Sequence, residues 1–89
     1  MTSLSIENIR IDPTIGDGIA FIADVHGVAH RFFVSRETLA EVERTRLTNN
    51  SDMVASFERQ SDKVRQAVLN TLKFGTSPNI TYLKTAFFS

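Results

Sequence analysis

The chain is expected to fold as one α+β domain over residues 1–89, a small antiparallel sheet of three to four strands with two helices packed on one face. Three observations predict this class. Residues 18–35 alternate with a period of two on both sides of a His26-Gly27 pair, which reads as a β-hairpin. Residues 52–74 carry their apolar side chains at helical spacing. Ser35 stands between the two patterns as a helix-capping residue.

In chain order, Leu4 and Ile6 alternate with polar neighbours, as do Ile9 and Ile11, but the two pairs have opposite parity. A first strand with a bulge or turn near Glu7-Asn8 accounts for the shift. Residues 12–18 form a loop, with Pro13 fixing φ and Gly16 and Gly18 permitting turns. In the hairpin, an even-length loop pairs Val25 with Val28, Ala23 with His30, Phe21 with Phe32 and Ile19 with Val34. An odd loop would send every side chain to the opposite face. A two-residue turn suits Gly27, which accepts positive φ freely, and His26, from a residue type enriched there.

Ser35 then caps a helix with Glu37 and Glu41 early and Arg44 and Arg46 late, an order that complements the helix dipole. Leu39, Val42 and Leu47 supply its thin apolar stripe, and residues 48–51 close it and cap the next helix. That helix, over about residues 52–74, gathers Met53, Val54, Phe57, Val64, Val68 and Leu72 within roughly 100° of arc, interrupted only by Ser61 and Thr71. Gly75 ends it, Pro78 prevents a restart, and residues 80–88 alternate as a last strand with an apolar end.

Composition narrows the function. Apolar residues at 42% and charged residues at 22% are globular proportions, and ten basic residues balance ten acidic ones. Zero net charge provides no overall field for nucleic acid or an anionic membrane, and it lowers the repulsion between copies. The absence of cysteine excludes disulfides and thiolate metal sites and suits a reducing cytoplasm, the expected location. The opening residues lack a basic region followed by an apolar run, so no signal peptide is expected, nor any membrane association.

The alternation of Ile19, Phe21, Ala23 and Val25, then Gly27, Phe32 and Val34, followed by Ser35, Glu37 and Leu39, resembles a small bacterial family known as domain of unknown function 1488. Phe57-Glu-Arg-Gln-Ser and Ile80-Thr-Tyr-Leu look like that family's later elements. His26 departs from the pattern, since Asp is commoner before the turn glycine, and so does His30, where small apolar residues are commoner. The resemblance implies fold, size and bacterial origin. It implies no activity.

Chemistry-bearing patterns are sparse. His26 and His30 fall on opposite faces of the hairpin, and Asp24 adds only one further ligand to His26, so no metal site and no cofactor are expected. His30, opposite Ala23, is placed where an imidazole is poorly solvated. Ser35 has the position of a cap rather than a nucleophile, and no phosphate-cradling glycine loop or nucleophile elbow is present. The expectation is a non-catalytic protein.

Two surfaces remain. Ala20, Ile22, Asp24, Ala29, Arg31 and Phe33 form the second face of the hairpin; if the helices cover Phe21 and Phe32, then Ile22 and Phe33 are left without obvious cover. Ile22, Arg31 and Phe33 are the candidate interface, for a protein partner or for self-association as a homodimer, with the N-terminal segment or Phe87-Phe88 as the competing cover. The alternative is a nucleic-acid-associated regulator using Arg59, Lys63 and Lys73, which share a stripe of the long helix with Gln66 and Asn70. The ordinary wet side of an amphipathic helix has the same pattern.

Overall fold

A computed structural model describes residues 4–76 and 79–88. Strands β1 (Leu4–Ile11), β2 (Gly18–Val25) and β3 (Val28–Ser35) are followed by helices α1 (Arg36–Glu43), α2 (Asn50–Arg59) and α3 (Ser61–Phe74). A two-residue strand β4 (Thr81–Tyr82) and a 3-10 turn (Thr85–Phe88) complete the order. The sheet runs β1-β2-β3-β4 and the fold is α+β, as the alternation and the helical spacing require.

The hairpin has the expected register, with Val25 opposite Val28, Phe21 opposite Phe32 and Ile19 opposite Val34. His26 at φ 53° and Gly27 at φ 82° make the left-handed pair that matches strand twist in a two-residue loop. In β1 the register slips between Glu7 and Arg10, with Asn8 left-handed at φ 53°. The bulge returns Ile11 to the core face beside Leu4 and Ile6, while Ile9 stays exposed.

Ile19, Phe21, Ala23, Phe32 and Val34 build the core from the sheet, against Leu39, Leu47, Met53, Phe57, Val64, Ala67 and Val68. Phe21 sits at its centre, stacked on Phe32 at 5.7 Å and edge-on to Phe57 at 5.3 Å. All three helices therefore lie over one face of the sheet. The Ser35 cap is as the sequence indicates, its Oγ accepting from the Thr38 N–H at 3.0 Å. Within the capping segment 48–51 the cap is Asn49, whose Oδ1 accepts from the Asp52 N–H at 2.8 Å, so the second helix starts at Asn50.

Four details differ from the sequence reading. The last strand is parallel to β3, with Phe32 opposite Thr81 and Phe33 opposite Tyr82, so the sheet is mixed rather than antiparallel. The link from β3 to β4 is the whole helical layer, not a turn, and it returns the chain in the direction of β3. Pairing stops after two residues, and Phe87 and Phe88 lie in the 3-10 turn.

The first helix ends at Glu43, because Arg44 turns left-handed and donates its N–H to the Ala40 carbonyl; Arg44 and Arg46 lie beyond the last turn. The long helix is two, bent at Gln60 (φ −97°, ψ 17°). Backbone bonding continues across the bend, Gln60 N–H to Ser56 O at 2.9 Å and Val64 N–H to Gln60 O at 2.8 Å. The buried Gln60 side chain reaches α1 instead of solvent, its Nε2 donating to Leu39 O at 3.1 Å. Gly75 ends α3, and Pro78 lies outside the described residues.

Candidate interaction surface

The sheet face turned away from the helices is laid out in rows across the strands. Ser5, Asp24 and Ala29 form one row, and Glu7, Ile22 and Arg31 the next. Arg10, Ala20, Phe33 and Tyr82 form the third. Glu7 and Arg31 are exposed, Ile22 is half-buried between them, and Tyr82 is 54% exposed. Ile9, in the bulge of β1, is 47% exposed.

Phe33 corrects the sequence reading, for it is only 4% exposed. Its ring leans over Gly18: a Cβ there would lie 2.7 Å from Phe33 Cζ, and one on Gly16 would lie 3.4 Å from the same atom. The Tyr82 ring meets it edge-on at 5.6 Å. Among the described residues the cover is thus two glycines and a tyrosine of the domain itself, while Phe87 and Phe88 pack against the core instead. Arg36 pins the glycine loop, donating from its backbone N–H to Asp17 O at 2.9 Å and from Nε to Asp17 Oδ1 at 3.2 Å. A glycine two residues from Ala20, diagonal to an aromatic on the next strand, was the signal available in the sequence.

The basic stripe is largely committed elsewhere. Arg59 grips Glu43 with two nitrogens, Nε to Oε2 at 2.9 Å and Nη2 to Oε1 at 2.7 Å. Asn70 donates to Phe87 O at 3.0 Å and accepts from Gln66 at 3.1 Å. Lys63 and Lys73 are exposed on α3, on the far side of the Gln60 bend from Arg59.

Glu43 heads a polar network that the sequence did not disclose. Ser56 Oγ donates to Glu43 Oε1 at 3.0 Å and accepts from Gln60 Nε2 at 2.8 Å, beside the bond from Gln60 to Leu39 O. The Leu39 carbonyl demands a donor, which fixes the amide orientation and leaves Gln60 Oε1 buried with no protein partner. The Arg59 guanidinium first, then the Ser56 hydroxyl, hold the Glu43 carboxyl below the ordinary glutamate range against partial desolvation.

A depressed carboxyl adds stability that is complete above its unfolded pKa, about 4.3, and fades as pH falls through the lower folded value. The urea midpoint of the wild type should therefore fall more steeply between about pH 5 and 3 than that of Glu43→Gln. Parallel curves would show that the Arg59 clasp contributes nothing to folding.

A cleft of about 360 Å³ between α1 and the C-terminal segment is lined by Ser35, Glu37, Thr38, Glu41, Lys84 and Thr85, among others. Ser35 Oγ is engaged with Thr38 as a helix cap, and Thr85 Oγ1 donates to Glu41 Oε2 at 2.9 Å, a hydroxyl–carboxylate pair on the cleft wall. A shallower apolar cleft of about 350 Å³ lies between Ile11 and Val54. His26 is exposed at the turn, and His30 is half-buried with its ring 6.4 Å from Phe32. No group of three or more His, Cys, Asp or Glu among the described residues could hold a metal ion. No helix among them is long and apolar enough to cross a membrane.

These features define a one-sided α+β module whose helices all sit over one sheet face. No family model and no curated protein matches the chain. The fold is shared with a crystal structure of a protein of unknown function from the DUF1488 family of Shewanella loihica PV-4. That likeness has a TM-score of 0.71 and covers 93% of this chain and 92% of that one, at 16% identity. It is the family that the hairpin and cap residues resemble, and at this identity the likeness establishes the fold.

Proposed function

We propose that the protein is a small non-catalytic interaction module whose contact surface is the outer sheet face around Ile22. The supporting observation is the one-sided layering. Three helices cover the Phe21 face, whereas on the opposite face the described residues place the glycine loop and Tyr82 over Phe33 and leave Ile22 half-buried between charged neighbours. Apolar residues rimmed by charge on an uncovered face are the usual make-up of a protein contact. The nucleic-acid reading loses support because Arg59 is neutralised by Glu43; the remaining lysines are too few to replace many counterions.

The test is quantitative capture from cell extract by wild type, Ile22→Glu and a helix-side control, Lys63→Glu. Burial makes Phe33→Glu a test of folding rather than of contact, so it is not the variant to use. Ile22→Glu should lower captured protein by about tenfold while Lys63→Glu leaves it unchanged. Equal capture by all three would remove the outer face from consideration.

A further inference from the structure

Resting on that reading of the outer face, we propose that its partner is a second copy of this chain, related by a two-fold axis that runs along β2 through Ile22. The observation is the charge pattern of one row. Glu7 on β1, Ile22 on β2 and Arg31 on β3 lie side by side, an acid and a base flanking an apolar centre. Two strand spacings, about 10 Å, separate the two charges within one chain. Among the described residues Arg31 makes no ion pair, and Glu7 takes only the Ser5 hydroxyl, at 3.3 Å.

Half a turn about an axis lying in the contact plane along β2 leaves β2 over itself and exchanges β1 with β3. Glu7 then faces Arg31 of the second copy, Arg31 faces its Glu7, and the two Ile22 side chains meet at the centre. The row therefore complements itself, as a closed two-fold contact requires. The other in-plane axis, across the strands, would set Glu7 on Glu7 and Arg31 on Arg31, a like-charge arrangement that costs binding.

The next row adds a check. On the proposed axis Asp24 meets its own copy, and its carboxylate is drawn toward the turn, accepting the Gly27 N–H at 2.9 Å. The remaining repulsion opposes association. Asp24→Asn keeps the acceptor for Gly27 and removes the charge, so it should tighten the pair. Area sets the scale: three strand spacings by eight residues is about 14 by 26 Å, near 400 Å² per copy. That is about half of a standard interface and implies a weak dimer, with a dissociation constant on the order of tens of micromolar. Zero net charge leaves no long-range repulsion to overcome.

Sedimentation velocity over about 5–500 µM, spanning the affinity expected of so small an interface, tests the proposal. Wild type should rise from one chain mass toward two. Glu7→Arg and Arg31→Glu should each weaken association about tenfold or more, and an equimolar mixture of the two should restore it, since both facing pairs are then opposite in sign. Glu7→Gln, which preserves shape, should weaken it less, and Asp24→Asn should strengthen it. Circular dichroism confirms that each variant is folded.

A dimer indifferent to both reversals, or unchanged by Asp24→Asn, would overturn the axis. A wild type that stays monomeric throughout would overturn self-association. If capture from extract still depended on Ile22, the outer face would remain the contact surface, with a different protein upon it.

Discussion

Replacing Phe21 with alanine is expected to remove about 3–5 kcal/mol of folding stability, the largest effect of any single core truncation here. The ring is fully buried and touches two other aromatic rings, Phe32 at 5.7 Å and Phe57 at 5.3 Å. One of those comes from the sheet and the other from α2, so Phe21 is where the two layers are joined. Its loss opens a cavity between them and removes aromatic pairing worth about 0.5–1.5 kcal/mol per pair beyond area burial. A domain of this length has a total stability of roughly 4–13 kcal/mol, so the variant should be close to unfolding. Urea denaturation followed by circular dichroism reads the effect. A loss below about 1.5 kcal/mol, typical of a tolerated core change, would mean that the layers are joined elsewhere.

Gly18→Ala should be nearly as damaging, at about 2–4 kcal/mol, although it adds one methyl group. A Cβ at Gly18 would lie 2.2 Å from Val34 O and 2.8 Å from Ser35 Cα, both backbone atoms of the paired strand, and 2.7 Å from Phe33 Cζ. The ring can shift; the two backbone atoms cannot without unpairing β2 from β3. Gly16→Ala is the matched control, because a Cβ there meets Phe33 at 3.4 Å, an ordinary contact. A large gap between the two urea midpoints is the expected result, and equal midpoints would refute the steric account. Gly18 is needed for space, whereas Gly27, at φ 82° with open space around it, is needed for conformation.

The parts of the fold legible in the sequence are those governed by local rules. The hairpin register followed from two-residue periodicity and an even loop, and the Ser35 cap and the capping segment 48–51 from capping chemistry. The bulge in β1 was legible too, as a parity change between Ile6 and Ile9. The illegible parts are those decided by tertiary contact. The helical pattern resumes at Val64 after an interruption at Ser61 no stronger than that at Thr71, and no glycine or proline marks the bend; the contact of Gln60 with the Leu39 carbonyl appears only in the packed fold. The direction of β4 depends on where the helical layer delivers the chain, which a two-residue strand cannot announce.

The candidate surface was half legible. Ile22 and Arg31 lie on the outer face as their parity requires, while Phe33 is buried by residues whose role depends on a close approach rather than on hydrophobicity. Glu43 and Ser56 belonged to no recognisable pattern, since residues thirteen apart meet only once α1 and α2 are packed.

The left-handed residue Asn8 has a consequence beyond returning Ile11 to the core. A sheet whose outermost strands are long and regular invites further strands to add without limit, which is the route to fibrous aggregates. Here one border is interrupted by the kink at Asn8 and the other is only two residues long. Growth along the backbone ladder is therefore discouraged on both sides. What remains open is the outer face of the sheet, where the proposed symmetric contact would end at two chains and assembly would stop by itself.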